Sequence, residues 1–274
     1  MTAMARAHLI TGGFPPGAPA GHDHDYARLR LLEMLRDEEA PASVANDFND
    51  VGKWLDVTRL LITYTAGPFP NEEQDRCIRD WIAGGGRWLA LHGTSGGRAV
   101  RVSEAGRRRR MLKAPFHETL GGFFLNHPPI RRFDVTVVDQ GSPLTRDLPE
   151  SFEVVDEPYM IELQQPESCR FLLTNAIGAD PSPEGFGFVY DADTSLLPDG
   201  RTRVIGYSKD LGRGGVTYIA LGHCHSATSN SQPFVDRSVA PDGRTPPVMR
   251  GPWETAAFER LLRNAIRWGL AGDD

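Results

Sequence analysis

The chain has 274 residues, 40% of them hydrophobic, and a formal net charge of −6 at pH 7. This hydrophobic content is ordinary for a globular protein, so the composition excludes a mainly disordered chain. The acidic balance provides no general attraction for nucleic acid or an anionic membrane, and no apolar run approaches the ~20 residues of a membrane-spanning helix. We therefore expect neither nucleic acid nor a membrane among its partners.

The number and spacing of the cysteines indicate whether the protein works in a reducing or an oxidising compartment. Cys77, Cys169 and Cys224 are odd in number and far apart, which argues against a disulfide framework and for a reducing environment. The amino-terminal "MTAMARAHLITGG" has too short an apolar run for a secretory signal. We expect a cytoplasmic protein, with Cys77 and Cys169 in its core.

The first ninety residues alternate between strand and helix patterns. Apolar runs predict strands at 7–11, 43–48, 59–65 and 87–91. Between them, the spacing of Leu29, Leu32 and Leu35 predicts a helix over 26–39 with Asp25 as its N-cap, and Asn71 caps a second helix that ends near residue 82. This alternation is typical of a mostly parallel sheet covered by helices.

After residue 130 the pattern changes to strands with few helices between them, which predicts an antiparallel extension of the sheet. A closing helix over 253–268 carries five apolar residues on one face: Phe258, Leu261, Leu262, Ala265 and Ile266. Two loops rich in Pro and Gly interrupt this half, at 178–200 and 226–252. The second follows a strand end, so we expect it near a functional site. The predicted fold is one α/β domain over 1–274, a mixed, mostly parallel sheet flanked by helices.

Histidines follow three of the predicted strands. His22 lies in the loop after the first strand, His92 ends the fourth, and His223 ends the "TYIALGHCH" segment. Residues just beyond the carboxyl ends of strands in an open α/β sheet converge on one crevice. We therefore expect these three side chains to lie close together.

The segment "VVDEPYM" adds a carboxylate. In an extended chain Asp156 and Glu157 point to opposite faces, whereas Glu157 and Tyr159 share one. Pro158 indicates a sheet edge or a bulge, where site residues are often redirected. We favour Glu157 as the carboxylate that faces the crevice.

Two functional interpretations of this set remain open. Neutral imidazoles with a carboxylate suit a divalent metal such as zinc or manganese, with His22, His92, His223 and Glu157 as ligands. A metal-free site would use a histidine as general acid or base, oriented by Glu157. For any single histidine, a hydrogen bond to a loop is the simpler explanation.

Other motifs give little support to competing chemistries. The sequence has no G-x-S-x-G or G-x-C-x-G elbow, no dinucleotide fingerprint and no P-loop. "FHETLGG" starts like a zinc-protease helix, but Gly121 stands where the second ligand is needed. Arg107 and the three arginines after it predict a solvated helix face or a partner contact, or a binding site for a sugar phosphate or carboxylate.

The landmarks "GHDHD", "WIAGGGRWLALHGTS", "FHETLGGFFLNHPP", "FEVVDEPYMIEL" and "GGVTYIALGHCHS", in this order, resemble the ThuA-like family, named for trehalose utilisation. The resemblance covers nearly the whole chain, and its "GG-x-F-x-x-H-P" and "D-E-x-Y" elements are fairly specific. It implies a fold similar to the class I glutamine amidotransferases, which are flavodoxin-like. His92 would then occupy the place of their nucleophilic Cys, and His223 would lie near that of their catalytic His.

The resemblance implies carbohydrate metabolism, with oxidised (3-keto) glycosides as intermediates, and no glutamine hydrolysis. The resulting hypothesis is an enzyme that hydrolyses, eliminates or isomerises a sugar or keto-glycoside. His92, His223 and Glu157 would be its catalytic residues, with the substrate-binding residues His22, Asp23, His127, Tyr159 and Ser95. The alternatives are a non-catalytic binding or assembly module and a degenerate amidotransferase partner. Glycine-rich loops and edge strands are compatible with a homodimer.

Overall fold

The computed structural model describes residues 6–102 and 108–271. Its strands are, in chain order, β1 (Ala7–Gly13), β2 (Ala42–Ala45), β3 (Leu60–Ala66), β4 (Arg87–Leu91), β5 (Arg98–Arg101), β6 (Arg109–Leu112), β7 (Gly122–Asn126), β8 (Arg131–Val137), β9 (Ser151–Asp156), β10 (Met160–Leu163), β11 (Cys169–Asn175), β12 (Arg203–Leu211) and β13 (Gly214–Ile219). The α-helices are α1 (His24–Asp37), α2 (Val51–Leu55), α3 (Glu72–Ala83), α4 (Phe116–Leu120) and α5 (Ala256–Leu270).

Nine of these strands form one sheet in the order β2-β1-β3-β4-β13-β12-β11-β8-β9. The five strands from β2 to β13 are parallel, and each later neighbour is antiparallel. The expected α/β fold, mostly parallel with an antiparallel extension, is confirmed. Two small antiparallel pairs, β5-β6 and β7-β10, lie outside this sheet.

Helices cover both faces of the parallel half. Helices α1 and α5 contact β3 and each other, while α2 and α3 pack together and α3 contacts β12 and β13. All five apolar residues predicted on one face of α5 are fully buried. Burial of each of the four larger side chains contributes about 1.5–3 kcal/mol relative to an exposed position, and Ala265 contributes less. Among the described residues, every helix is too short or too polar to span a lipid bilayer.

The predicted register of α1 is wrong. The helix begins at His24, and its N-cap is Asp23, whose carboxylate accepts a hydrogen bond from the Tyr26 amide. Leu29 is exposed. Residues that share one face of a helix are spaced i, i+4, i+7, i+8, and leucines placed only at intervals of three drift off that face. The buried residues are His24, Ala27, Leu31, Met34 and Leu35.

The structure corrects three further predictions. Cys77 is exposed, because the inner face of α3 is formed by Asp75, Ile78 and Ile82. The strand predicted at 43–48 is the shorter β2, whose edge position exposes alternate residues. The described part of the basic run is not helical: Arg109 and Arg110 belong to the β5-β6 pair, and Arg110 pairs with Asp191. Arg107 lies outside the described residues.

Candidate metal centre

The crevice is formed by strand ends that point in the same direction. In a flat sheet β9 would lie about 19 Å from β13, four strand spacings away. The structure nevertheless ties them together, because the Asp156 carboxylate at the end of β9 accepts hydrogen bonds from the amides of Gly222 (2.7 Å) and His223 (3.0 Å). The antiparallel half therefore curls back over the carboxyl ends of the parallel strands.

β13 ends earlier than predicted, before the residues whose amides bond the Asp156 carboxylate. The strand stops at Ile219, so His223 lies in irregular backbone beyond it. Gly222 has φ +137°, and its carbonyl accepts hydrogen bonds from the Tyr64 hydroxyl (2.8 Å) and the Trp253 indole (2.7 Å). The backbone polar groups that would extend the strand are bonded to these side chains and to Asp156 instead.

His92 lies in a strained turn. It directly follows β4 and has φ +46°, a left-handed conformation that is uncommon for a non-glycine residue. The Tyr218 hydroxyl donates to the His92 carbonyl (2.9 Å), and a Cβ on Gly93 would lie 2.5 Å from the Thr65 carbonyl oxygen. The turn therefore requires a glycine after His92 and directs the imidazole into the crevice.

Four side chains converge in this crevice. His22, His92, His223 and Glu157 each offer one ligand atom, and these atoms lie within 4.8 Å of one another. His92 Nε2 is 3.2 Å from Glu157 Oε2, and His223 Nδ1 is 3.1 Å from Oε1. All four side chains are buried, and Glu157 is only 2% exposed.

Hydrogen bonds on the far side of two rings fix their tautomers. His92 Nδ1 donates to the Ala220 carbonyl (2.7 Å), so neutral His92 keeps a lone pair on Nε2. The Pro246 carbonyl only accepts, so His225 Nε2 donates to it (2.8 Å). His225 Nδ1 then accepts from His223 Nε2 (2.8 Å), which leaves the lone pair of neutral His223 on Nδ1. Both lone pairs point toward Glu157.

The arrangement fits a divalent metal. Within the described part of the chain, His22 Nδ1, His92 Nε2 and His223 Nδ1 are buried without a hydrogen-bond partner. Lone pairs facing a carboxylate repel it, and a bound cation would remove that repulsion. Three imidazoles and one carboxylate suit zinc or manganese, and imidazoles held through their second nitrogen are typical of metal ligands.

The electrostatics support neutral His22 and His223 and an ionised Glu157, whereas the nearby carboxylates favour the protonated form of His92 until a cation neutralises them. Burial lowers the pKa of His22 and of His223. Burial opposes the ionisation of Glu157, but His127, His223 and His92 hold its pKa well below the usual range. For His92, burial lowers the pKa, but the carboxylates of Glu157 and Asp156 raise it more. A charged carboxylate beside neutral His22 and His223 is the state that metal binding needs.

Comparison with known proteins defines the family. A model of the ThuA family, described as trehalose utilisation, matches residues 19–236. The chain belongs to the ThuA family. Two solved ThuA-like proteins cover 98% of it at 16% identity: one from Bacteroides uniformis, with TM-score 0.63 over 93% of its own chain, and one from Parabacteroides merdae, with TM-score 0.58 over 91%.

A cold-adapted β-galactosidase from Rahnella also matches, with TM-score 0.52 and 15% identity over 80% of this chain and 29% of its own. At such identities these likenesses show the fold alone. A search of curated proteins found no match. The expected ThuA-like, amidotransferase-like fold is thus confirmed.

The other predicted site residues of this ThuA protein divide into two groups. His127 and Tyr159 face the cluster: His127 Nε2 is 3.6 Å from Glu157 Oε1, and the Tyr159 ring stacks on His92 with centroids 4.3 Å apart. Asp23 and Ser95 hold the backbone around the cluster. Asp23 caps α1 and pairs with Arg250 (2.7 Å), and Ser95 Oγ lies 2.7 Å from the Tyr218 hydroxyl.

Sequence reasoning missed three contacts to this cluster. Gln232 donates from its side-chain amide to Glu157 Oε1, which confirms that the second long loop lies at the site. His225 fixes the His223 tautomer, and Asp156 anchors the backbone of His223. Burial raises the pKa of Asp156 to about 7 against the opposing effect of His92. The "HCH" triplet and the "DE" pair carried signals for His225 and Asp156, whereas Gln232 stands in no recognisable motif.

Proposed function

We propose that this chain is a metal-assisted enzyme that acts on a sugar or keto-glycoside as a hydrolase, lyase or isomerase. The observation that carries the proposal is the convergence of three imidazoles and Glu157, two of the rings held through their second nitrogen. The family's description, trehalose utilisation, supports a carbohydrate substrate.

His22, His92, His223 and Glu157 would hold zinc or manganese. Such an ion supplies Lewis-acid polarisation of a substrate carbonyl or hydroxyl oxygen. Tyr64 and Tyr159 both stack on the His92 ring, with centroids 6.0 and 4.3 Å away, and help to keep it in position.

His127 is the residue placed to move a proton. Its Nδ1 donates to the Pro128 carbonyl (2.8 Å), so the lone pair of the neutral ring is on Nε2, beside Glu157. In a keto-glycoside, His127 would take the proton from the carbon next to the carbonyl. The C–O bond to the leaving sugar then breaks, and the protonated His127 ring gives the same proton to the leaving oxygen and becomes neutral again. The carbonyl acidifies this C–H enough for an imidazole base.

Two other functions have less support. Glutamine hydrolysis requires a thiolate at the elbow, where this chain has His92; the thiol of Cys224 lies 3.6 Å from the Tyr64 hydroxyl, and burial raises its pKa to about 12. A non-catalytic module would leave the polar groups of the crevice dispersed, whereas four of them converge.

The first test is elemental mass spectrometry of protein purified without chelator or histidine tag. We expect near-stoichiometric transition metal, lost in Glu157→Gln and retained in His8→Gln, which alters a buried histidine outside the cluster. Absence of metal after incubation with zinc and manganese would contradict the metal centre.

The second test separates metal holding from proton transfer. We expect His127→Gln to retain metal and lose turnover on a panel of 3-keto disaccharides, because the glutamine cannot accept the substrate proton. Full turnover by this variant would exclude His127 as the base. Absence of turnover in the unmodified, metal-loaded protein across the panel would contradict the substrate class.

A further inference from the structure

Two phenylalanine rings lie next to the histidine cluster and have no part in the proposed metal site or proton transfer. Phe186 and Phe234 contact each other with centroids 5.3 Å apart, and Phe234 is 37% exposed. Phe186 also lies edge-on to His127, with centroids 5.9 Å apart. A continuous path of side chains therefore leads from Glu157 through His127 to a partly exposed aromatic pair.

The loop that carries Phe186 is firmly anchored. Asn126 donates to Asp180 (3.0 Å) and accepts from the Phe188 amide (2.9 Å), and these bonds fix both ends of the 180–188 segment. Gly187 has φ +70°, and a Cβ there would lie 2.1 Å from Asn126 Oδ1, so the close approach requires a glycine. The position of the Phe186 ring is therefore defined by the fold.

The loop that carries Phe234 is anchored on both sides of the ring. Two residues before it, Gln232 donates to Glu157. Directly after it, Val235 is buried beside Ile130, and the Asp236 amide donates to the Ile130 carbonyl (2.9 Å). The same short segment thus contacts the carboxylate of the cluster and presents an aromatic ring at its edge.

We propose that Phe186 and Phe234 form a subsite for the second sugar ring of a glycoside whose first ring lies against the histidine cluster. This inference rests on the function proposed above. The electron-rich face of an aromatic ring attracts the C–H groups that a pyranose presents on its own face, and aromatic side chains commonly line ligand sites. Two phenylalanine rings offer at most a few hundred Å², less than the ~800 Å² per partner of a stable protein interface, so a small ligand fits better.

The test compares disaccharides with monosaccharides. Binding of trehalose, maltose and cellobiose, and of glucose and methyl glucoside, is measured by calorimetry and saturation-transfer NMR. The proteins are the unmodified chain and the double variant Phe186→Ala/Phe234→Ala. We expect the unmodified chain to prefer at least one disaccharide, and the double variant to lose roughly two- to tenfold in disaccharide affinity per ring with little change for monosaccharides. NMR should show saturation transfer from the two rings to the second sugar.

Two controls isolate the aromatic effect. Phe186→Tyr/Phe234→Tyr should retain the disaccharide preference, and Leu29→Ala, which removes an exposed apolar side chain from α1, should not alter it. A preference that survives in the alanine double variant would overturn the subsite and leave the proposed function standing. Failure of the unmodified chain to bind any of these sugars would also overturn the subsite, whereas the proposed function is overturned only by absence of turnover on the 3-keto panel.

Discussion

Replacing His225 by Phe tests the tautomer argument at the centre of the site. The substitution keeps a buried ring and removes both nitrogens, so His223 Nε2 and the Pro246 carbonyl each lose a 2.8 Å hydrogen bond. His223 is then free to carry its proton on Nδ1, the atom that faces Glu157. Loss of such a partner behind a metal-ligating histidine typically lowers metal affinity about 10–100-fold, or roughly 1.4–2.7 kcal/mol.

The assay is competition for zinc against a chromophoric chelator at pH 7, with urea unfolding of the metal-free protein alongside. We expect the zinc Kd to rise about 10–100-fold. The free energy of unfolding should fall by roughly 1–3 kcal/mol, because buried polar groups are left without partners.

His117→Phe is the matched control. His117 is also fully buried, and its ring nitrogens bond the Gly96 carbonyl (2.9 Å) and the backbone of Ala114 (2.9 Å), but it is not part of the cluster. This variant should lose comparable stability and keep its zinc affinity. Unchanged zinc affinity in His225→Phe, or an equal loss in both variants, would refute the assignment of the His223 lone pair to a metal.

Three further predictions concern the surroundings of the site. Arg250→Met removes the ion pair with Asp23 and the contact of the guanidinium with the Tyr26 ring at 4.0 Å, so limited proteolysis with mass spectrometry should show faster cleavage within 226–250. Gly222→Ala places a side chain at φ +137°, and calorimetry should show a loss of about 1–3 kcal/mol of stability. Burial lowers the pKa of His8 to about 4, so the unfolded chain binds more protons below pH 6.5 and stability falls as the pH drops toward 4. Between pH 7 and 5 this amounts to about 2 kcal/mol, and urea unfolding of His8→Gln should lack this part of the pH dependence.

The sequence predicted the histidines of the cluster because local rules determine where they lie. Parallel strands share a direction, so His22 and His92, which follow β1 and β4, lie at one edge of the sheet. Alternation along an extended chain distinguished Glu157 from Asp156. These inferences needed no knowledge of which distant segments touch.

Long-range contacts account for what the sequence did not predict. Asp156 binds the amides of Gly222 and His223 across more than sixty residues, and this contact helps to hold the edge strand over the site. Gln232 reaches Glu157 from an irregular loop, for which no periodicity exists. The exposure of Cys77 depended on which face of α3 meets the sheet, and the helix pattern left that open.

The surroundings of His92 suit a metal ligand better than a nucleophile. A nucleophile in this turn must be reached by its substrate, whereas His92 is fully buried. Its ring is fixed at Nδ1 by the Ala220 carbonyl and stacks with two tyrosines, which restrict rotation and leave Nε2 directed at Glu157. Strained backbone is retained where the surrounding structure determines it, and here Gly93 and the Tyr218 hydroxyl do so. The strained turn thus holds the imidazole at a fixed angle, and this precision is what a metal ligand requires.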